Sequence, residues 1–200
     1  MNVLIVGRTK MSGSARCIGG LLPDGSSVRL TKATGHWDTN TPLQVGQVWD
    51  IDFDAATQLN PPHVEDVIVK NASLVSTSNN IAADIRSTIT PWKGSIGNIF
   101  QGLLGFTGGN NGYISKYRGV PDRSTWFWEP DKDLTLRSDN KHYDYKSFFI
   151  KRGLSYVGEV PPIPVIAAGT LVRVSLARWW RPDDAPDLEE RCYLQLSGWF

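Results

Sequence analysis

Residues that commonly carry covalent or metal chemistry are scarce in this 200-residue chain, which has only two cysteines, Cys17 and Cys192, and three histidines. Two thiols without a further cysteine cluster cannot build a zinc site, and no disulfide is expected from them. The glycine-rich stretch at 108–112 is not followed by Gly-Lys-Ser/Thr, which excludes a phosphate-binding P-loop, and no G-x-S-x-G nucleophile elbow occurs. His63-Val64-Glu65-Asp66 begins like a zinc-deaminase signature but lacks the later P-C-x-x-C, so it reads as a turn entering a strand. No catalytic residue, metal ligand or cofactor is therefore expected.

Long apolar runs and excess charge are missing too. The opening MNVLIVGRTK has neither a charged region before its short apolar run nor a small-residue cleavage site after it, so it does not read as a signal peptide. No stretch approaches the length of a membrane span. A cytoplasmic protein without a membrane partner is the expectation. The formal net charge is +1 and neither half of the chain is a basic module, which counts against strong nonspecific duplex binding.

Present in quantity are strand formers and eight tryptophans. β-branched or alternating runs at 3–9, 17–22, 28–30, 48–54 and 63–69 predict five strands, with Pro23-Asp24-Gly25-Ser26 reversing the second into the third. In 48–54, Trp49, Ile51 and Phe53 share one face and Asp50, Asp52 and Asp54 the other, which is a half-buried strand with a solvated acidic stripe. Ile81, Ile85 and Ile89 at four-residue spacing, with Asn80 as cap, predict a helix, and 96–104 a second short one. Strand patterns return at 124–128, 143–150, 155–160, 170–180 and 192–199. The fold class is mainly β: one small barrel over residues 1–75, a helical and loop connector over 76–119, and a second barrel over 120–200.

The last two strands are the most informative for function. Strand parity puts Val172, Val174 and Leu176 toward a core and Arg173, Ser175 and Trp179 on the opposite face, which Tyr193, Gln195 and Trp199 join from the next strand. Arg178 has the other parity and enters as a strand-end cation beside Trp179. Rings can stack on a nucleobase, arginine adds cation–π attraction and phosphate contact, and Gln195 can bond a base edge. The same face would equally serve packing between two units. Arg8, Lys10 and Arg29 form a weaker basic group at the ends of the first strands, either a second contact or a solvated rim.

The residues Val-Leu-Ile-Val-Gly-Arg-Thr-Lys-Met at 3–11, Val45-Gly46-Gln47-Val48-Trp49-Asp50-Ile51, and above all Val174-Ser175-Leu176-Ala177-Arg178-Trp179-Trp180 with Arg191-Cys192-Tyr193-Leu194-Gln195-Leu196-Ser197-Gly198-Trp199 resemble the bacterial dual OB domain proteins over nearly the whole chain. The resemblance implies two tandem five-stranded OB-type barrels and, by analogy with OB domains in general, a non-catalytic binder of single-stranded nucleic acid or a nucleotide. It supplies no catalytic residues. OB barrels also bind proteins, so a protein-interaction module using the same aromatic surface stays open.

Overall fold

The computed structural model describes residues 1–200, the Ile150 side chain excepted. The chain divides into two units, the first made of Met1–Asn60, Val64–Thr90 and Phe200, the second of Pro61–His63 and Pro91–Trp199.

In the first unit β1 (Asn2–Lys10), β2 (Arg16–Leu21), β3 (Ser27–Thr31), β4 (Gln47–Ala55) and β5 (Asp66–Thr77) close a barrel in the order β1-β2-β3-β5-β4. Its neighbours are antiparallel except β3 and β5, which run parallel. The two-residue alternation sends Val3, Ile5, Ile18, Leu30 and Ile51 inward, where with Leu43 and Trp49 they form the core. Gly20 is required where β2 crosses β1: a Cβ there would sit 2.3 Å from Val3 Cγ1. The acidic stripe of β4 is exposed as its alternation predicts, with Asp54 2.7 Å from Lys70 Nζ and Asp50 accepting from the Met1 ammonium at 2.6 Å.

The middle segment does not stand apart as a connector over 76–119. Helix α1 (Ile81–Thr88) follows β5 in the first unit, with Asn80 Oδ1 accepting from the Ala83 N–H at 3.0 Å and Ile85 and Ile89 buried. From Pro91 onward the chain belongs to the second unit. Two 3-10 turns within Ile96–Gly102 replace the second helix, because Ile99, Phe100 and Gln101 leave helical geometry between them. Ile96, Ile99, Phe100 and Leu104 are instead part of the second core. Burial of these apolar side chains decides their allegiance.

The second unit contains β6 (Trp92–Gly94), β7 (Gly105–Phe106), β8 (Gly112–Ser115), β9 (Thr125–Pro130), β10 (Leu134–Leu136), β11 (His142–Ser147), β12 (Ile150–Tyr156), β13 (Val165–Ile166), β14 (Val172–Leu176) and β15 (Arg191–Trp199). Its sheet order is β13-β10-β11-β12-β15-β14-β9-β6, with β8 paired to β15 and β7 to β8. β12 and β15 run parallel, as β3 and β5 do in the first unit. If β9 and β10 are taken as halves of one strand interrupted at residues 131–133, the five-strand path of the first barrel repeats, and the ring is completed by the chain itself. Asp131 accepts from the Tyr145 hydroxyl at 2.8 Å and Asp133 from the Ala168 N–H at 2.8 Å, which holds the interruption in place. The expected pair of OB-type barrels is thus present, the second enlarged by extra strands. The run at 143–150 is not one strand: it reverses at Phe148-Phe149 to make the β11–β12 hairpin.

Candidate functional site

Two bulges rearrange the face that simple parity assembles. Arg173 is opposite Gly198 and Val174 opposite Leu196, so Ser197 is an extra residue on β15. Its hydroxyl donates to the Arg173 carbonyl at 3.1 Å and accepts from Arg173 Nη1 at 3.1 Å. Beyond this bulge the parity of β15 is reversed. Trp199 therefore pairs with fully buried Val172 and packs on the core, its ring 5.4 Å from that of Tyr156 and 6.4 Å from that of Tyr143. It is not on the face that carries Tyr193.

The second irregularity follows β14. The Ala177 N–H donates to the Tyr193 carbonyl, while Trp180 and Arg191 exchange both backbone hydrogen bonds, so three steps on one strand match two on the other. Parity counted without that extra residue selects Trp179. In the structure Trp180, 53% exposed, lies beside Tyr193 with ring centroids 6.0 Å apart. Trp179 packs against the core cluster, donates its Nε1–H to the Pro61 carbonyl at 2.7 Å and lies under Lys116 Nζ at 5.1 Å.

Strand β8 supplies what the sequence did not reveal. Tyr113 is the direct cross-strand partner of Tyr193, their centroids 6.3 Å apart, and the Arg191 guanidinium lies 4.1 Å from the Tyr113 ring centre. Trp180, Tyr193 and Tyr113 thus form a chain of half-exposed or exposed rings with Arg191 at its edge, and half-exposed Gln195 continues the same face of β15. Glu189 holds Arg191 through Nε at 3.2 Å and Nη2 at 3.1 Å, and Glu190 pairs with Lys116 at 3.1 Å. Arg178 is exposed nearby in sequence. Tyr113 sits in a short strand of Gly112-Tyr-Ile-Ser that follows a glycine- and asparagine-rich loop, where a sequence pattern gives little warning of a strand.

The remaining expected residues are placed apart from this face. Arg173 is buried in the β14–β15 bulge. Arg8 is buried and donates to the Thr39 carbonyl at 2.7 Å, and Arg29 is paired with Asp66, which leaves Lys10 as the exposed member of the first-strand group. Those three do not form a continuous basic rim.

One histidine and one cysteine of the second unit lie against each other in its interior. His63 is buried, with Nε2 3.1 Å from the Ala177 carbonyl oxygen and 3.8 Å from Cys192 Sγ. Burial pushes the Cys192 thiol up to about 12, the wrong direction for a nucleophile or a metal thiolate. Among the described residues no group of three or more His, Cys, Asp or Glu is arranged to hold a metal ion, and no helix is long and apolar enough to cross a membrane. What the exposed face offers is stacking surface, a planar cation and an amide.

The model of the dual OB-containing domain matches residues 1–199. Neither the comparison with curated proteins nor that with solved structures returned a match.

Proposed function

The chain belongs to the dual OB-containing domain family, and from that premise we propose that it is a non-catalytic protein that binds single-stranded nucleic acid or a nucleotide on the outer face of β8 and β15. The observation that carries this reading is the Trp180–Tyr193–Tyr113 ring series with Arg191 across it. Bases stack on such rings whatever their sequence, and a guanidinium held close over an aromatic ring can exchange that contact for a base or a phosphate. Gln195 adds hydrogen-bonding capacity for a base edge.

A second reading has its own support. Glu189 and Glu190 already neutralise Arg191 and Lys116, which makes the face less cationic and suits a polar, aromatic protein interface. Salt dependence separates the two. Fluorescence anisotropy with single-stranded DNA, single-stranded RNA and mononucleotides, at low and moderate salt, should show binding that weakens with salt and is lost in Tyr193→Ala. Failure of the wild type to bind any of them, with salt-insensitive capture of a protein that needs Tyr193, would replace the first reading by the second.

A further inference from the structure

The turn between β11 and β12 is built against its own local preferences. Phe148 and Phe149 are 101% and 105% exposed, the most exposed large apolar side chains among the described residues. They occupy the two central positions of a hairpin whose flanking pair is Ser147 and Ile150. Such two-residue connections favour glycine, asparagine or aspartate, because the backbone must enter the left-handed region. Phe148 sits there with φ of 50°. The next pair down the hairpin sets Lys146 directly opposite Lys151, a like-charge juxtaposition that a sheet ordinarily avoids. Asp144 pairs with Lys151 at 2.8 Å but also with Arg137 at 2.6 Å, so its one carboxylate is shared between two cations.

Two bare rings, a strained phenylalanine and a cationic base are each unfavourable for the isolated fold. The rings and the cationic base become favourable against one kind of surface, an anionic chain that carries flat apolar groups, and such a contact gives a reason for the strain to be kept. The hairpin also has the right position. Because β12 and β15 run parallel, with Ser155 beside Gln195, the start of β12 next to the turn lies at the same end of the unit as Arg191 at the start of β15. Lys151 and Ser155 share strand parity and thus the sheet face that carries Gln195.

We infer that the Phe148-Phe149 turn is a second contact for the single-stranded ligand: its rings insert beside or between unpaired bases while Lys146 and Lys151 meet the flanking phosphates. Apolar wedges are used in this way by proteins that unstack base steps. The inference rests on the nucleic-acid reading above and names the ligand more closely, as a polymer long enough to reach from Tyr193 to the turn rather than a mononucleotide.

The test uses the full chain, a fluorescein-labelled 20-residue oligothymidylate, thymidine monophosphate, and vesicles of phosphatidylcholine with or without phosphatidylserine. Phe148→Gly is the informative variant, because it removes one ring and relieves the left-handed strain. A wedge predicts weaker binding of the 20-mer, by severalfold or more, together with an unchanged or raised Tm. The double variant Phe148→Ser/Phe149→Ser should lose at least tenfold. Thymidine monophosphate, if it binds, should be insensitive to either change. Unchanged 20-mer affinity in the double variant, with loss in Tyr193→Ala, would overturn the wedge and leave the face standing. A wild-type chain that binds neither oligonucleotide nor nucleotide would remove both proposals. Binding to phosphatidylserine vesicles that needs both phenylalanines, without a matching effect on the 20-mer, would assign the turn to a membrane surface and overturn the inference as well.

Discussion

Two neighbouring indoles serve different ends. Trp179 lies on the core and bonds the Pro61 carbonyl, whereas Trp180 is exposed and touches Tyr193. Trp180→Ala should therefore weaken oligonucleotide binding by about 1–3 kcal/mol and barely change the denaturation midpoint. Trp179→Ala should do the reverse, losing on the order of 2–3 kcal/mol of stability, less than a fully buried ring because part of it already meets water. Glu190→Gln releases Lys116 from its ion pair. That variant should bind an oligonucleotide more tightly and with a steeper salt dependence, whereas a partner that docks on rings alone would show no change. Cys192 and Tyr156 set an alkaline limit. Burial raises the thiol from 9.0 to about 12 and the phenol from 10.0 to about 12, with Tyr143 adding to the latter. Both groups hold their protons more tightly in the folded chain than in the unfolded one. The stability they contribute is complete below about pH 9 and falls as the pH rises from there toward 12. Urea unfolding between pH 8 and 10.5 should show the decline, and Cys192→Ala should make its slope shallower.

At the scale of elements, the strand patterns that alternate cleanly are the ones legible in the sequence. β1 to β4 could be read because one apolar set faces the core, and α1 because its isoleucines repeat every fourth residue. The misplacements share one cause, an irregularity that alternation cannot register. An extra residue at Ser197 turns Trp199 inward, another between Ala177 and Trp180 exchanges the two indoles, and the Phe148-Phe149 reversal has none of the residues that announce a turn. Tyr113 and Arg191 could be brought together only by the tertiary pairing of β8 with β15. Deletion of Ser197 tests the importance of the bulge. It would restore a regular ladder with Trp199 still opposite Val172, but would remove the hydroxyl that donates to the Arg173 carbonyl and accepts from its guanidinium, so the second unit should lose about 1–3 kcal/mol in a denaturant titration. An unchanged midpoint would mean that Arg173 is held in place without Ser197. Asn80→Ala, by contrast, removes only a helix cap and should cost about 1 kcal/mol in a denaturant titration.

For the molecule as a whole, a net charge of +1 constrains how it can hold a polyanion. If Arg191 and Lys116 each displace about 0.7 of a counterion from a single strand, the slope of log K against log salt is about −1.4. A much steeper slope measured with the full chain would require basic groups beyond this face, such as those at the β11–β12 turn. The two rings also differ in how they are joined. Every seam of the first is a ladder of hydrogen bonds, including that between β1 and β4, whereas β9 and β10 of the second are linked by the covalent run 131–133. A protease site placed at those three residues would thus act as a clasp. Once cut, the second ring would be free to open into a strip while the first stayed whole, which would permit one half of the protein to be dismantled at will without altering a single core side chain.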